Sequence, residues 1–227
     1  MAEVIVAFDV ATDSEAFRLA DALPDLRWAK IGPTLFLRHG PAVIEEFRKR
    51  GIKIFLDLKW HDIPNTVTGA VRAARELGVD LASVHALGGA EMLAAAAAAG
   101  GPVRLAAVSV LTSHTSASYG EAVGRADADV TAEVARLVRL AAANGIDAFV
   151  TSPLEVEAMR AIVAPETWLV VPGIRLGGGG GDPGDQKRVA DPRTAVRAGA
   201  THLVVGRPVI GADRPDVVYN QICEEIA

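Results

Sequence analysis

The stretch Ile52-Lys53-Ile54-Phe55-Leu56-Asp57-Leu58-Lys59 reads as a clear β-strand, and the residues after it read as a helix. Val67, Ala70, Val71, Ala74 and Leu77 recur at helical spacing, and Gly78 stops the run. The same strand-then-helix unit extends outward in both directions. Upstream, Glu3–Asp9 is a β-branched run ending in a carboxylate, Ser14–Leu23 is helical, Arg27–Gly32 is a strand, and helical sequence continues to Arg50. Downstream, strands are expected at Asp80–His85, Val103–Leu111, Ala148–Thr151, Trp168–Val171 and His202–Val205. Between and after them lie the alanine-rich run Ala94–Ala99, a helix carrying Val130, Val134, Leu137, Val138 and Ala141 on one face, and helices at Leu154–Val163, Thr194–Ala198 and Val217–Ile226. Eight such pairs within 227 residues predict a (β/α)8 TIM barrel of the α/β class, one domain over residues 1–227. A doubly wound open sheet is the alternative, weakened because no early G-x-G-x-x-G turn follows the first strand.

Composition fits one sizeable core, with 50% hydrophobic and 22% charged residues. A formal net charge of −5 gives no overall electrostatic reason to bind nucleic acid or an anionic membrane. An anionic small substrate would need a local cluster of basic groups. Cys223 is the only cysteine, so no intrachain disulfide can form, which suits a reducing cytoplasm. Met1–Val4 lacks the basic region of a signal peptide, and the alanine run is too short to span a bilayer.

Barrels of this kind build their active sites at the C-terminal ends of the strands. Those ends here carry Asp9, Lys30, Asp57 with Lys59, His85, Thr112, Arg175 and Gly206-Arg207. Taken singly each has a plain structural reading, and for His85 a hydrogen-bonded core histidine is preferred. The third strand is the most informative. Side chains alternate faces along a strand, so Asp57 and Lys59 share one face while Leu56 and Leu58 share the other. The leucines can pack on the helices, leaving Asp57 and Lys59 at the barrel mouth and Asp62 just beyond it. A structural ion pair is a poor source of stability when buried, so charges kept there point to function.

Asp57-Leu58-Lys59-Trp60-His61-Asp62-Ile63-Pro64-Asn65-Thr66 resembles the D-x-K-x-x-D-I-P-N-T signature of the orotidine 5′-monophosphate decarboxylases. The resemblance continues through Ala7-Phe8-Asp9, Lys30-Ile31-Gly32, His85-Ala86 with Gly88-Gly89, Leu111-Thr112-Ser113, Pro172-Gly173-Ile174-Arg175, Asp185-Gln186 and Val205-Gly206-Arg207. Trp60, Pro33 and the five-glycine run Gly177–Gly181 depart from the family pattern, but none removes a chemical group.

The resemblance implies a cofactor-free decarboxylation of orotidine 5′-monophosphate to uridine 5′-monophosphate, with Lys59 stabilising charge at C6 and supplying the proton. Asp57 would sit near the substrate carboxylate, and with Asp62 it would keep Lys59 charged. Lys30 would bind Asp57 and a ribose hydroxyl, Asp9 and Asp62 the ribose, and Thr112 the pyrimidine edge. Pro172, Arg175, Gln186, Gly206 and Arg207 would handle the phosphate, with the glycine run closing over it. The resemblance also implies a homodimer in which Asp62, Ile63 and Thr66 reach the partner's site. No His/Cys/Asp/Glu set has clear metal-ligand spacing, so no metal is expected. Two other functions compete: a metal-dependent sugar-phosphate decarboxylase or aldolase of the same suprafamily, and a non-catalytic barrel that binds a phosphorylated ligand. Asp62-Ile63-Pro64-Asn65-Thr66 argues against the first, and the intact Asp57, Lys59 and Asp62 against the second.

Overall fold

The computed structural model describes residues 2–176 and 189–227. Strands β1 (Glu3–Ala7), β2 (Trp28–Ile31), β3 (Lys53–Trp60), β4 (Leu81–His85), β5 (Arg104–Val108), β6 (Ala148–Val150), β7 (Trp168–Val171) and β8 (His202–Val205) pair in parallel, each with the next. Pairing of Val4 with Leu203 and Ile5 with Val204 joins β1 to β8 and closes the barrel. The expected fold is borne out, and the open sheet is set aside.

The helices form the outer ring: α1 (Asp13–Asp21), α2 (Pro33–His39), α3 (Pro41–Lys49), α4 (Pro64–Glu76), α5 (Gly89–Gly100), α6 (Ser116–Val123), α7 (Val130–Ala143), α8 (Val156–Arg160), α9 (Pro192–Arg197), α10 (Arg207–Ile210) and α11 (Pro215–Ile226). Local chemistry explains several starts. Side chains of Thr12, Asp129 and Asp191 cap α1, α7 and α9 by accepting from Glu15, Thr131 and Thr194 N–H groups. Pro33, the family departure, begins α2 at a position where its missing N–H costs nothing. The helical sequence read through to Arg50 is two helices, because Gly40 (φ 60°) turns the chain between them. Strand β5 stops at Val108 rather than Leu111, and α6 and α10 are additions to the expected elements. Among the described residues no helix is long and apolar enough to cross a membrane.

Strand alternation sorts the core into two layers. Ile5, Trp28, Phe55, Leu81 and Val170 fill the inside of the barrel. Ile54 and Leu56 face outward and pack with Val43 and Phe47 of α3 and Val67 and Val71 of α4, with Leu58 at the edge of the same cluster. Each such fully buried aliphatic or aromatic side chain contributes about 1.5–3 kcal/mol of transfer free energy. Trp60, the other departure near the site, packs partly buried against this outer layer. The apolar filling leaves the C-terminal mouth to polar residues.

Candidate active site

A cavity of about 650 Å³ opens at the mouth, within the size range of small-ligand sites. Its floor is set by β1, β2 and β3. Asp9 follows β1, Lys30 lies on β2, and Asp57 and Lys59 lie on β3, and all four line the cavity. Lys59 Nζ donates to Asp57 Oδ2 at 2.9 Å. Lys30 Nζ lies 3.6 Å from the same oxygen and donates to Asp9 Oδ1 at 2.9 Å. The result is an alternating chain of charges, Asp9–Lys30–Asp57–Lys59. Gly32 leaves room beside it, since a Cβ there would lie 3.1 Å from Asp9 Oδ1 and press on that carboxylate.

Asp57 is buried, at 8% exposure, and burial alone would push its carboxyl pKa up. The charges of Lys30 and Lys59, with hydrogen bonds from Lys59 and Ser83, outweigh burial and hold the pKa below the usual aspartate value. Asp57 is therefore an anion at neutral pH, fixed between two ammonium groups. Lys59 is half-exposed to the cavity. It is also the one non-glycine residue with positive φ (50°) among the described residues, a conformation that costs about 1–2 kcal/mol for an L-residue.

The rest of the wall comes from later strands, with β8 beside β1. Thr112 lies past β5, Pro172 and Arg175 past β7, and Gly206 and Arg207 past β8, and all five line the cavity. Arg175 donates from a guanidinium nitrogen to the Ile174 carbonyl at 2.9 Å, which holds its side chain beside the strand end. A Cβ on Gly206 would meet Ala7 only at ordinary contact distance, 3.5 Å, so the room it leaves is not demanded by packing within the chain. Gln186, Asp185 and the run Gly177–Gly181 lie outside the described residues.

Asp62, Ile63 and Thr66 do not line this cavity; all three are exposed, Ile63 at 66%. Asp62 Oδ1 accepts from the Ile63 N–H at 2.6 Å, and among the described residues Asp57, not Asp62, is the ion-pair partner of Lys59. His85 does not line the cavity either. Its Nδ1 accepts from the Leu87 N–H at 3.3 Å and its ring stacks on His61. Burial, with the charges of His61 and Lys59, lowers its pKa to about 4, so it is neutral. Among the described residues no three His, Cys, Asp or Glu side chains are grouped so as to hold a metal ion.

A family model described as the orotidine 5′-phosphate decarboxylase / HUMPS family matches residues 2–222. The chain belongs to this family. A curated orotidine 5′-phosphate decarboxylase of Halorhodospira halophila is 46% identical over 229 residues, covering 99% of this chain and 95% of that protein. One from an Anaeromyxobacter species (strain K) is 48% identical over 221 residues, 96% of each chain. The crystal structure of orotidine 5′-phosphate decarboxylase from Lactobacillus acidophilus superposes with a TM-score of 0.86 at 33% identity, covering 100% of this chain and 99% of that one. The enzyme class expected from the sequence is borne out.

Within this decarboxylase-family barrel, several cavity residues escaped the sequence reading. Ala7, Phe55 and Val204 each lie on a strand two positions before a named site residue, so strand alternation was the signal that could have found them. Thr151 directly follows β6, a strand whose end was not read as contributing, and among the described residues its buried hydroxyl at the cavity wall has no hydrogen-bond partner. Ser83, behind the cavity lining, was missed as well. It is fully buried on β4, accepts from the Lys59 backbone N–H at 2.8 Å, and donates to Asp57 Oδ1 at 2.8 Å.

Proposed function

We propose that the chain decarboxylates orotidine 5′-monophosphate to uridine 5′-monophosphate, a step of de novo pyrimidine biosynthesis, without metal or other cofactor. The observation that carries this reading is the Lys30–Asp57–Lys59 array, a buried carboxylate flanked by two ammonium groups on the cavity floor. Loss of carbon dioxide breaks the bond between C6 and the carboxyl carbon and leaves the electron pair on C6. Lys59, half-exposed and aimed into the cavity, is placed to stabilise that charge and to donate its proton there. Solvent then restores the proton on Lys59. Asp57 sits where the substrate carboxylate would come, so their repulsion is relieved as carbon dioxide departs. Lys30 holds Asp57 and Asp9 together, and Asp9, at the open end of the chain of charges, takes a ribose hydroxyl.

Thr112 contacts the pyrimidine edge. At the ends of β7 and β8 Pro172, Arg175, Gly206 and Arg207 receive the phosphate, for which an arginine fork and close backbone approach are suited. Gln186 belongs to the same group by its place in the sequence. Binding energy from this remote end can be expressed at the reacting carbon. The functional unit is a homodimer in which Asp62, Ile63 and Thr66 serve the partner's cavity. Their exposure, and their absence from the lining of their own cavity, support this. The enzyme works in the cytoplasm on a free nucleotide, with no nucleic-acid or membrane partner; the net charge of −5 and the single cysteine support that placement.

The test is an ultraviolet assay of orotidine 5′-monophosphate conversion in excess chelator. Turnover at the full rate is expected. Loss of turnover with recovery on adding magnesium would overturn the reading in favour of a metal-dependent lyase, and no turnover under any condition would leave only a binding barrel.

A further inference from the structure

We infer that Ser83 is a positioning residue for the decarboxylation, its hydroxyl tying the backbone of Lys59 to the carboxylate of Asp57. The inference rests on the function proposed above. It begins from a fault in the barrel's own hydrogen bonding. Between β3 and β4 the register runs Phe55 to Leu81 and Leu56 to Ala82, and then resumes at Trp60 to Val84. Four residues of β3 are used against two of β4, so Asp57, Leu58 and Lys59 stand opposite Ser83 alone. Such a bulge breaks the regular ladder and re-aims side chains. The Lys59 N–H, inside the bulge, is taken by the Ser83 hydroxyl oxygen at 2.8 Å instead of by a ladder carbonyl.

That bond fixes the direction of the hydroxyl. Ser83 is 0% exposed, so no water competes for it. Its oxygen accepts from Lys59, and its single hydrogen points to Asp57 Oδ1 at 2.8 Å. The two oxygens of Asp57 are thereby divided, Oδ1 to Ser83 and Oδ2 to Lys59 Nζ at 2.9 Å and Lys30 Nζ at 3.6 Å. Turning the carboxylate about its own axis would break the bond to Ser83, so the oxygen facing the lysines is held towards them. Meanwhile the φ of 50° at Lys59 is a strained conformation that persists only where surrounding contacts determine it. Ser83 supplies such a contact at the Lys59 nitrogen itself. One hydroxyl thus sets both the backbone from which the proton donor projects and the orientation of its counter-ion. Ser83 does not line the cavity, so it acts through these two residues rather than on the substrate.

The test compares Ser83→Ala and Ser83→Cys with Ser109→Ala. Cysteine fills the space that alanine leaves empty but is only a weak donor and acceptor, so it guards against a cavity defect in the alanine variant. Ser109 is a buried serine whose hydroxyl donates to the Val150 carbonyl at 3.2 Å and which does not line the cavity, so it reports the general effect of losing such a bond. The measurements are kcat and KM for orotidine 5′-monophosphate, the dissociation constant for uridine 5′-monophosphate, and the melting temperature. Both Ser83 variants are expected to lose about 10- to 100-fold in kcat, the scale of a misplacement near 1 Å, while KM and product binding stay within about threefold. Ser109→Ala should keep kcat within about twofold. A folded Ser83 variant with kcat within about twofold of wild type would overturn the inference, as would equal losses in kcat and product binding, or an equal kcat loss in Ser109→Ala. Wild-type turnover beside an unaffected Ser83 variant would sink only the role of Ser83; a wild type that never decarboxylates this nucleotide would sink the proposed function as well.

Discussion

Lowering the pH from about 7.5 to about 4.5 is expected to remove stability from this barrel at one identifiable imidazole, that of His202 at the base opposite the mouth. His202 is 4% exposed, and its ring lies 4.0 Å from that of Trp168 and 5.7 Å from that of Trp28. Burial, then the charges of Arg104 from β5 and Lys53 from β3, lower its pKa from 6.5 to about 4. Glu3 and Glu166 border the same hollow at the base and do not reverse the shift. Between those two pKa values the unfolded chain binds a proton that the folded chain refuses. Stability is thus complete above the unfolded value of 6.5 and declines as pH falls towards about 4, below which both states are protonated. At about 1.4 kcal/mol per pH unit, the loss by pH 4.5 is about 2.5 kcal/mol. Urea unfolding followed by tryptophan fluorescence at the two pH values measures it. His85, also near 4, titrates in the same sense, so the informative comparison is with His202→Phe, which removes this imidazole alone. The variant should lose about 2.5 kcal/mol less on acidification than wild type, whatever its stability at neutral pH. Equal losses in the two proteins would show that His202 is not the buried proton acceptor, and the reasoning would fail.

Lys59→Ala is expected to fold and to bind uridine 5′-monophosphate within about tenfold of wild type, while kcat drops by at least about 10³-fold; a folded variant with near wild-type turnover would remove Lys59 from its role. Arg207→Ala should lower kcat/KM for the phosphorylated substrate by about 100-fold or more and do much less to a substrate lacking the phosphate, and equal losses would show that Arg207 does something else. Mixing Lys59→Ala and Asp62→Ala subunits should restore activity towards half per heterodimer, since one site collects both defects and the other neither; if exchange is demonstrated and no activity returns, Asp62 serves its own subunit.

Much of this site could be read from the chain because β-strands have a two-residue period. Asp57 follows Phe55, Asp9 follows Ala7, and Gly206 follows Val204, so an apolar barrel filling gives way to polar mouth residues at the same phase. What escaped the reading depends on contacts across strands or on a single packing event. The bulge in β3 leaves no local mark, because its cause is the pairing with β4 rather than the sequence Asp57-Leu58-Lys59. Ser83 looks like any polar residue in a strand until the Lys59 N–H is found on it. Helix α6 lacks an apolar stripe and contains Gly120, where a Cβ would lie 2.3 Å from the Arg125 carbonyl oxygen. It starts on a capping box between Thr115 and Ser118, with serine in place of the usual Glu or Gln, so the sequence signal was missing.

The places where local rules fail are also the places where the proposed chemistry needs them to fail. A left-handed φ at a lysine, a broken ladder beside it and a carboxylate buried between two ammonium groups each work against stability when considered alone. All three fall within Asp57–Lys59, while the other described β-strand pairings of the barrel run in register. A fold selected for stability alone would not gather its defects at the rim of its cavity. The regular pairings and the apolar filling of the remaining strands hold the fault open. Because β2 and β4 bracket β3 on either side, Lys30 and Ser83 reach it from fixed neighbouring frames rather than from loops. The four groups Lys30, Asp57, Lys59 and Ser83 are therefore arranged before any substrate arrives, which is the condition for electrostatic stabilisation without reorganisation.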